Sequence, residues 1–307
     1  MEPLKRKEIQ ETQTVILDNT KRSCFQSCPR KFYWQFIRNL RSPAGSSALR
    51  DGSTWHGALE GYYRHIQLHG WADSVGAITS AAAEAAKVWK EETSKFDFFY
   101  PDYRTLENCL LSFTEYLGHY SQDPSYMQIE EVEKTFKLKI NSHLYFTGKI
   151  DGVVKLNGRR WLLEHKTTSQ GLSLQLARIQ RDAQVIGYAF AGTMMFDEPV
   201  DGIMVSTHHL SAYKSKKTEQ WGAPKIEFER RPQIFTDGDF ASWKESFLYT
   251  ANKVGEAIAY NHFPMSFDAC YHFGRCSYTD LCEQNAPLDE TNTQGYITVE
   301  PWEVEKT

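Results

Sequence analysis

Hydrophobic and polar positions change their period near residue 127. Before this point apolar residues recur at helical spacing, and after it they alternate in the period-2 manner of strands, with helical stretches between. The predicted helices cover 52–68, 73–95, 103–120, 173–196 and 238–261, and the predicted strands cover 129–140, 143–156, 159–167, 201–209 and 225–235. This order is typical of an α/β fold with a mixed central sheet flanked by helices.

The two ends of the chain carry weaker patterns. The first twenty residues are expected to be frayed or strand-like, and a helix cap at Asn19 or Thr20 leads into a helical pair interrupted at Pro29. Nothing repeats at a fixed period. We therefore predict three parts, which are an N-terminal helical region (1–126), an α/β core (127–262) and a cysteine-rich tail (263–307) that packs back on the N-terminal region.

Composition sets the broad class of protein. The 307 residues are 41% hydrophobic and 24% charged, which is ordinary for a globular chain with a sizeable core. No run of about 18 apolar residues predicts a membrane span. The first twenty residues contain no apolar signal segment, so secretion is not expected and we predict a cytoplasmic protein. The six cysteines are then expected to be reduced thiols or metal ligands.

The charge is unevenly distributed. A total of 35 Lys and Arg against 39 Asp and Glu gives a formal net charge of −4, which argues against binding driven by bulk positive charge. Residues 21–50, however, hold seven basic side chains, no acid and five aromatic rings. Two interpretations are open, namely the solvated face of an amphipathic helix or a strip that meets phosphates while its rings pack or stack on bases.

A short turn places two acids together. Asn157-Gly158 between two alternating segments predicts a type I′ hairpin. In that register Asp151 lies directly opposite Glu164, and Lys166 points to the same face. Like charges in this arrangement repel each other. Either a divalent cation such as Mg²⁺ or Mn²⁺ joins them, or neighbouring lysines neutralise them as an ordinary salt-bridge network.

Two helices carry further polar positions. Arg181, Gln184 and Tyr188 form one stripe on an otherwise apolar helix, which is either solvent-exposed or packed on the sheet beside the acids. His56 lies on one face of the 52–68 helix. Taken alone, a histidine at such a position is more often part of the core than a metal ligand.

The tail contains three regularly spaced cysteines, Cys270, Cys276 and Cys282. Their C-x5-C-x5-C spacing does not match the C-x2–4-C that opens structural zinc sites. Three thiolates need a fourth to complete a metal site, and the candidates are Cys24, Cys28 and Cys109. The alternative is three buried free cysteines.

Four segments in order resemble the motifs of a known family. They are SCPRKFYWQFI, GSTWHGALEGYY, GKIDGVV with WLLEHKTTS, and RDAQVIGY. Together they resemble the PD-(D/E)XK nuclease superfamily, and within it the RecB-like iron–sulfur branch of CRISPR-associated RecB-like exonucleases, AddB nuclease domains and phage exonucleases. The resemblance covers about residues 20–285 and implies a restriction-endonuclease-like core.

The resemblance implies roles for single residues. Asp151 is similar to the metal-binding Asp of the motif, although Ile150 replaces the Pro that gives the motif its name. Glu164 and Lys166 match E-x-K. The remaining matches are His56 as the upstream metal ligand, the backbone carbonyl of His165 as a further ligand, and Gln184 and Tyr188 as the Q-x-x-x-Y pair near the catalytic lysine. Either Glu131 or Glu133 corresponds to the upstream Glu of the family.

The same resemblance assigns the cysteines and the DNA contacts. In the iron–sulfur branch one cysteine before the core joins three after it, so Cys28 is expected to hold a [4Fe–4S] cluster with Cys270, Cys276 and Cys282. The first gap of the tail is longer than the family's usual C-x2-C. Arg30, Lys31 and Arg181 are the expected DNA contacts.

The implied activity is Mg²⁺- or Mn²⁺-dependent hydrolysis of DNA. An exonuclease in end processing, recombination or repair, phage-encoded or bacterial, is expected to act on single-stranded DNA or duplex ends. The chain contains no Walker A motif, so any helicase or recombination partner would be a separate polypeptide. The alternative is a non-catalytic DNA-binding or scaffold module on the same fold. The intact Asp151, Glu164 and Lys166 favour the enzyme.

Overall fold

The structure, a computed structural model, describes residues 14–272 and 274–300; the first part of the predicted strand-like N-terminal segment lies outside this range. The α-helices are α1 (Asn19–Ser27), α2 (Pro29–Phe32), α3 (Ser47–His69), α4 (Ser74–Ser94), α5 (Leu106–His119), α6 (Asp123–Tyr126), α7 (Leu172–Ile179), α8 (Ala183–Met195), α9 (Asp237–Ala259) and α10 (Thr279–Glu283). A π-helical turn (Tyr33–Ile37) follows α2, and a 3₁₀ turn (Phe267–Cys270) precedes α10.

The strands follow the predicted order. They are β1 (Val15–Leu17), β2 (Leu40–Arg41), β3 (Ala44–Gly45), β4 (Phe98–Phe99), β5 (Met127–Lys139), β6 (Leu144–Leu156), β7 (Arg159–Thr168), β8 (Val200–Ser211), β9 (Lys225–Gln233) and β10 (Ile297–Thr298). Each of the five predicted strands is present as one of β5 to β9.

The single helix predicted over 173–196 is wrong. The chain forms α7 and α8 instead, because the Asp182 carboxylate caps a new helix and accepts hydrogen bonds from the backbone N–H groups of Gln184 (2.8 Å) and Val185 (3.2 Å). Arg181 therefore precedes α8 and does not share a helical stripe with Gln184.

The central sheet is mixed. β6 pairs antiparallel with β7, β7 pairs parallel with β8 across the α7–α8 connection, and β8 pairs antiparallel with β9; β5 also pairs with β6, and β1 runs parallel to residues 144–146. The predicted fold class is confirmed as a mixed α/β, restriction-endonuclease-like arrangement with helices flanking the sheet. Among the described residues, no helix is long and apolar enough to cross a membrane.

Contacts divide the chain into two compact units. Unit 2 comprises 44–134 and 149–240, and its core lies where α3, α4 and α5 pack on the sheet. The helices α3 and α4 approach closely at Gly61, where an added Cβ would lie 2.6 Å from the Ser80 carbonyl oxygen. This contact buries one side of α3 and leaves the side that carries His56 toward the strands.

Among the described residues, unit 1 comprises 14–43, 135–148, 241–272 and 274–300. Its aromatic core centres on Phe146, whose ring lies 5.0 Å from Trp243 and 5.1 Å from Phe247. The tail contacts the N-terminal segment through a hydrogen bond from the Tyr278 hydroxyl to the Leu40 carbonyl (2.7 Å) and through the β2–β10 pair. The division into 1–126, 127–262 and 263–307 stays a prediction.

Candidate active site

The Asn-Gly hairpin forms as predicted. Asn157 and Gly158 have φ values of 50° and 81°, the left-handed conformations that a type I′ turn requires. The β6–β7 register runs from the pair Leu156–Arg159 to the pair Gly152–Leu163. The turn therefore fixes the alignment of the two strands, and Asp151 and Glu164 are the next residues along them.

Asp151 is held by two donors. Its Oδ2 accepts a hydrogen bond from the backbone N–H of His165 (2.6 Å), and its Oδ1 lies 3.2 Å from Nδ1 of His56, which projects from α3. Burial would raise the pKa of Asp151, but the charge of His56 and the hydrogen bond between them hold this pKa down, at about 2. The carboxylate is therefore ionised across the physiological range.

His56 carries the complementary shift. Burial alone would lower the pKa of His56, but the negative charge of Asp151, their hydrogen bond and the charges of Glu164 and Glu133 outweigh it and raise this pKa to about 9. Without a cation the imidazole is thus protonated and bound to Asp151. A metal ion competing for the same position would take the place of this proton.

Glu133 joins the same cluster from β5. It has a φ of 56°, a left-handed conformation that a residue other than glycine rarely adopts within a strand. Its carboxylate forms an ion pair with the Lys149 ammonium. Burial and the charge of Asp151 raise the pKa of Glu133 to about 7. One ligand atom each of His56, Glu133 and Asp151 lie within 4.8 Å of one another.

Glu164 and Lys166 are linked through an amide. Gln184, in the first turn of α8, donates from Nε2 to Glu164 Oε1 (2.8 Å) and accepts from Lys166 Nζ at Oε1 (2.6 Å). Lys166 Nζ also lies 3.3 Å from Glu164 Oε1 and 3.8 Å from the carboxylate of Asp182. One amide thereby fixes the positions of the acid and the lysine.

Glu164 is a buried acid with one free oxygen. Its side chain is about 3% exposed, and Oε2 has no hydrogen-bond partner among the described residues. Burial and the neighbouring charge of Asp151 raise the pKa of Glu164 to about 8. An unpartnered carboxylate oxygen in such a position is costly, and a bound cation would satisfy it.

Lys166 stays charged despite its burial. Burial would lower its pKa, but the charges of Glu164 and Asp182 outweigh this effect and raise the pKa above its usual value. Tyr188, one turn after Gln184 on α8, is buried and hydrogen-bonded to the Gln184 side chain and the Lys149 backbone. Burial raises the pKa of Tyr188, so its hydroxyl remains protonated.

His165 contributes its backbone. Its buried ring lies on the opposite face of β7 from Glu164 and Lys166 and stacks on Tyr63, with centroids 5.9 Å apart and an interplanar angle of 17°. Burial lowers the pKa of His165 to about 3, so the ring is neutral. Behind it the Arg230 guanidinium binds the hydroxyl of Tyr63 (3.2 Å), and this packing supports the segment that holds Asp151.

The chemistry of this group fits a hard divalent cation. We name it the carboxylate cluster, and its members are His56, Glu133, Asp151 and Glu164. It combines carboxylate oxygens, one imidazole nitrogen and the unpartnered Glu164 Oε2, the donors that Mg²⁺ and Mn²⁺ accept. Of the two glutamates that the sequence left open, Glu133 lies in the cluster, whereas Glu131 forms an ion pair with Lys134.

A second group of ligand atoms lies in unit 1. We name it the cysteine cavity, and the thiols that line it belong to Cys28, Cys270, Cys276 and Cys282. Cys28 Sγ accepts a hydrogen bond from the backbone N–H of Ser266 (3.4 Å). Burial raises the pKa of Cys270 and of Cys282. Cysteine thiolates are the usual ligands of iron–sulfur clusters, so these residues are of the type that such a group requires.

The other two candidate cysteines lie outside this lining. Cys24 is buried nearby in α1, where desolvation raises its pKa to about 12, and Cys109 lies in the hydrophobic core of unit 2. Of the three candidates for a fourth ligand, the cavity therefore includes Cys28 alone.

The expected DNA contacts occupy separate places. Arg30 donates from Nε to the Phe263 carbonyl (2.7 Å), and Lys31 lines the cysteine cavity. Arg181, 80% exposed, pairs with Asp239 at 3.0 Å. Their role in binding DNA stays a prediction.

Comparison with known proteins identifies the family. The model of the PD-(D/E)XK nuclease superfamily matches residues 19–283. The match spans most of the chain and contains every residue of the carboxylate cluster. The chain belongs to this superfamily, and this membership supports a nuclease role.

Two solved structures are similar to the chain at low identity. The crystal structure of “Putative exonuclease” from Eubacterium rectale is 12% identical, with a TM-score of 0.47 and coverage of 91% of each chain. The structure of SSO0001 is 12% identical, with a TM-score of 0.29 and coverage of 76% of this chain and 86% of that one. No curated protein matches the chain. The family assignment rests on the sequence match and not on these two likenesses.

Proposed function

We propose that the chain is a Mg²⁺- or Mn²⁺-dependent deoxyribonuclease that acts as an exonuclease on DNA ends. The observation that carries this proposal is the joint position of the Asp151, Glu164 and Lys166 side chains beside His56 and Glu133. A decayed, non-catalytic member of the family would be expected to have lost part of this set. All five residues are retained.

The cation would be held by the carboxylate cluster. One ring nitrogen of His56 and one carboxylate oxygen each of Asp151 and Glu133 are close enough to share one ion, and Glu164 offers its Oε2. The His165 carbonyl is a further candidate ligand. When bound, the cation supplies Lewis-acid activation of the scissile phosphate and lowers the pKa of a coordinated water.

Lys166 would act on the reacting groups. Its ammonium is held by Gln184 and Glu164 and remains charged, so it can donate a hydrogen bond to the attacking water or to a phosphoryl oxygen on which negative charge develops. Gln184 positions this ammonium. Tyr188 in turn contacts Gln184 and fixes the amide, which places it among the positioning residues.

The cysteine cavity would hold a [4Fe–4S] cluster. The support for this is the convergence of the Cys28 thiol with the three thiols of the tail on one cavity, together with the resemblance of their order to the iron–sulfur branch. The role would be structural, since the four ligands join residue 28 to residues 270–282. Iron and sulfide analysis of anaerobically purified protein tests it, and about four of each per chain are expected. A zinc-loaded, colourless sample would contradict it.

DNA end processing in recombination or repair, in a bacterial or phage setting, is the proposed context. Arg30, Lys31 and Arg181 are proposed to contact DNA phosphates, since their charge is the kind that neutralises a nucleic acid backbone. A separate helicase or recombination protein remains the proposed partner.

A gel assay tests the activity. The substrates are single- and double-stranded DNA, each labelled at one end and blocked at either the 5′ or the 3′ end. They are incubated with Mg²⁺ or Mn²⁺, and a circular single strand serves as a substrate without ends. We expect linear DNA to be shortened from an unblocked end and the circle to persist. Lys166→Ala should abolish shortening, while Lys134→Ala, on a half-exposed lysine paired with Glu131, should not.

Three outcomes would contradict the proposal. Shortening that persists in EDTA would exclude the metal dependence, and full activity of Lys166→Ala would exclude the site. Cutting of the circle at the rate of linear DNA would replace the exonuclease by an endonuclease.

A further inference from the structure

The connection between β8 and β9 is a basic hairpin of unit 2. We name residues 211–225 the lysine hairpin. It holds four lysines and one glutamate in a chain whose formal net charge is −4. Lys214, Lys216 and Lys217 are all exposed. The hairpin is thus a local positive surface on an acidic protein.

The lysine hairpin has a defined backbone. Ser211 pairs with Lys225 at its base, and a bridge joins Lys214 to Trp221. Above the bridge the backbone N–H of Ser215 donates to the Gln220 carbonyl (2.9 Å). These hydrogen bonds hold the backbone of the turn in a short two-stranded ladder. The lysines of the turn therefore lie close together at the surface.

Aromatic rings accompany the lysines. Tyr213 is 70% exposed, whereas Trp221 is packed on Tyr103 with ring centroids 5.1 Å apart. Lys214 Nζ lies 5.6 Å from the Trp221 ring centroid. The Tyr103 hydroxyl donates to the Leu210 carbonyl (3.2 Å), which anchors the base of the hairpin. Trp221 is therefore a support, and Tyr213 offers a free ring face.

The sheet register places the hairpin beyond the catalytic lysine. β7 and β8 are parallel, with Lys166 opposite Thr207 and Thr168 opposite His209. Ser211 lies four residues beyond Thr207, or about 13 Å along the strand. This distance corresponds to about four stacked nucleotides at 3.4 Å each. A DNA strand that runs past Lys166 along this direction would reach the hairpin.

We propose that the lysine hairpin is a contact surface for single-stranded DNA leading to the carboxylate cluster. Lys214, Lys216 and Lys217 bind backbone phosphates, and Tyr213 stacks on an unpaired base. Phosphate is the group that clustered exposed lysines recognise, and an exposed tyrosine beside them can stack on bases of any sequence. The inference rests on the proposed nuclease function, since that function supplies the DNA.

Binding without cleavage tests the inference. A fluorescent oligo-dT of about 20 nucleotides, long enough for a single binding site, is titrated in EDTA at several salt concentrations. The double variant Lys216→Gln/Lys217→Gln is expected to lower the magnitude of the slope of log K against log salt by about 1.4, because each phosphate contact on a single strand contributes about 0.7. Lys87→Gln/Lys90→Gln, on exposed lysines of α4, is the matched control and should leave the slope unchanged.

The stacking role has its own variants. Tyr213→Ala is expected to weaken binding about tenfold, Tyr213→Phe should restore it, and an abasic oligonucleotide should bind both variants equally, because it offers no base to stack. An unchanged salt slope in the double lysine variant, or the same loss in the α4 control, would overturn the phosphate contacts. Losses seen only with blunt duplex would overturn the single-strand assignment.

The failures of the two proposals can be told apart. The titration in EDTA requires no catalysis, so a wild-type protein without metal-dependent DNA degradation would end the nuclease proposal without deciding the binding result. The hairpin variants test only the hairpin. If they bind DNA as tightly as the wild type while Asp151→Asn abolishes nuclease activity, the hairpin proposal fails and the nuclease proposal stands.

Discussion

The carboxylate cluster and the cysteine cavity both gather metal-ligand side chains, but the protein holds them in different ways. The cluster projects from long strands and helices, and protein donors orient its members: His165 and His56 bind Asp151, Lys149 pairs with Glu133, and Gln184 binds Glu164. The cluster is therefore assembled by the fold itself.

The cysteine cavity lies in short, irregular chain. The thiols of the tail lie in or beside a 3₁₀ turn (Phe267–Cys270) and the five-residue helix α10, which are both short elements. Ligands on such short elements are expected to gain order when a group binds them. A cation bound in the carboxylate cluster would therefore serve chemistry, whereas a group bound in the cysteine cavity would serve stability.

The largest expected effect separates chemistry from folding. Asp151→Asn keeps an oxygen for the His165 N–H but loses the charge that attracts a cation, so we expect nuclease activity to fall by about 10³-fold or more. The protein should still fold, with a modest fall in the thermal midpoint, because the side chain loses its charge interaction with His56 while its remaining oxygen still accepts the His165 N–H. Initial rates and a melting curve are the measurements. Asp97→Asn, on an exposed acid, is the control, and a variant that fails to fold would contradict the comparison.

In the cysteine cavity, a ligand variant is expected to lose stability as its main effect. Cys282→Ser removes one of the four proposed cluster ligands, so iron should be lost, and the free energy of unfolding should fall by about 3 kcal/mol, or about 5 °C in the melting midpoint of a chain of this length. Iron content and the melting curve of anaerobic protein check this. Cys24→Ser should retain its iron, since Cys24 does not line the cavity. A Cys282→Ser protein with wild-type iron and stability would show that the cavity holds nothing structural.

A smaller effect is expected where one amide orients the cluster. Gln184→Met fills similar space but makes neither hydrogen bond, so Lys166 and Glu164 lose their common support. We expect kcat to fall about 10- to 100-fold with KM little changed, as for residues that orient metal ligands. Steady-state kinetics on linear DNA measure both constants. Gln180→Met, on an exposed residue before α8, is the control, and an effect on KM alone would assign Gln184 to DNA binding instead.

The sequence predicted those parts of the cluster that local rules determine. The Asn157-Gly158 turn fixes a register, and period-2 alternation then places Asp151, Glu164 and Lys166 on one face. The fold class followed from the same periodicity and was confirmed. These features depend on neighbours within about fifteen residues, which is why they can be read along the chain.

Features that depend on distant contacts were not predicted. The left-handed conformation of Glu133 brings its carboxylate into the cluster, yet a glutamate within an alternating strand gives no signal of it. The break before α8 was missed because the apolar residues of α7 and α8 continue one helical pattern, and only the capping by Asp182 divides them. The sequence also left open which lysine meets which acid.

The smallest expected effect comes from the ion pair between Lys149 and Glu133. The Lys149 ammonium forms an ion pair with the Glu133 carboxylate, which is also a proposed metal ligand. Lys149 therefore competes with a metal ion for this carboxylate. We expect Lys149→Met to bind Mn²⁺ about tenfold more tightly, a gain of about 1.4 kcal/mol, as measured by calorimetry on the metal-free protein. Lys134→Met, which removes the neighbouring Glu131 pair on the surface, should bind as wild type. Weaker Mn²⁺ binding by Lys149→Met would instead mean that this lysine holds the Glu133 carboxylate in position for the metal. The carboxylate cluster would then depend on an ion pair for its geometry and would not be fully assembled by the strands and helices alone.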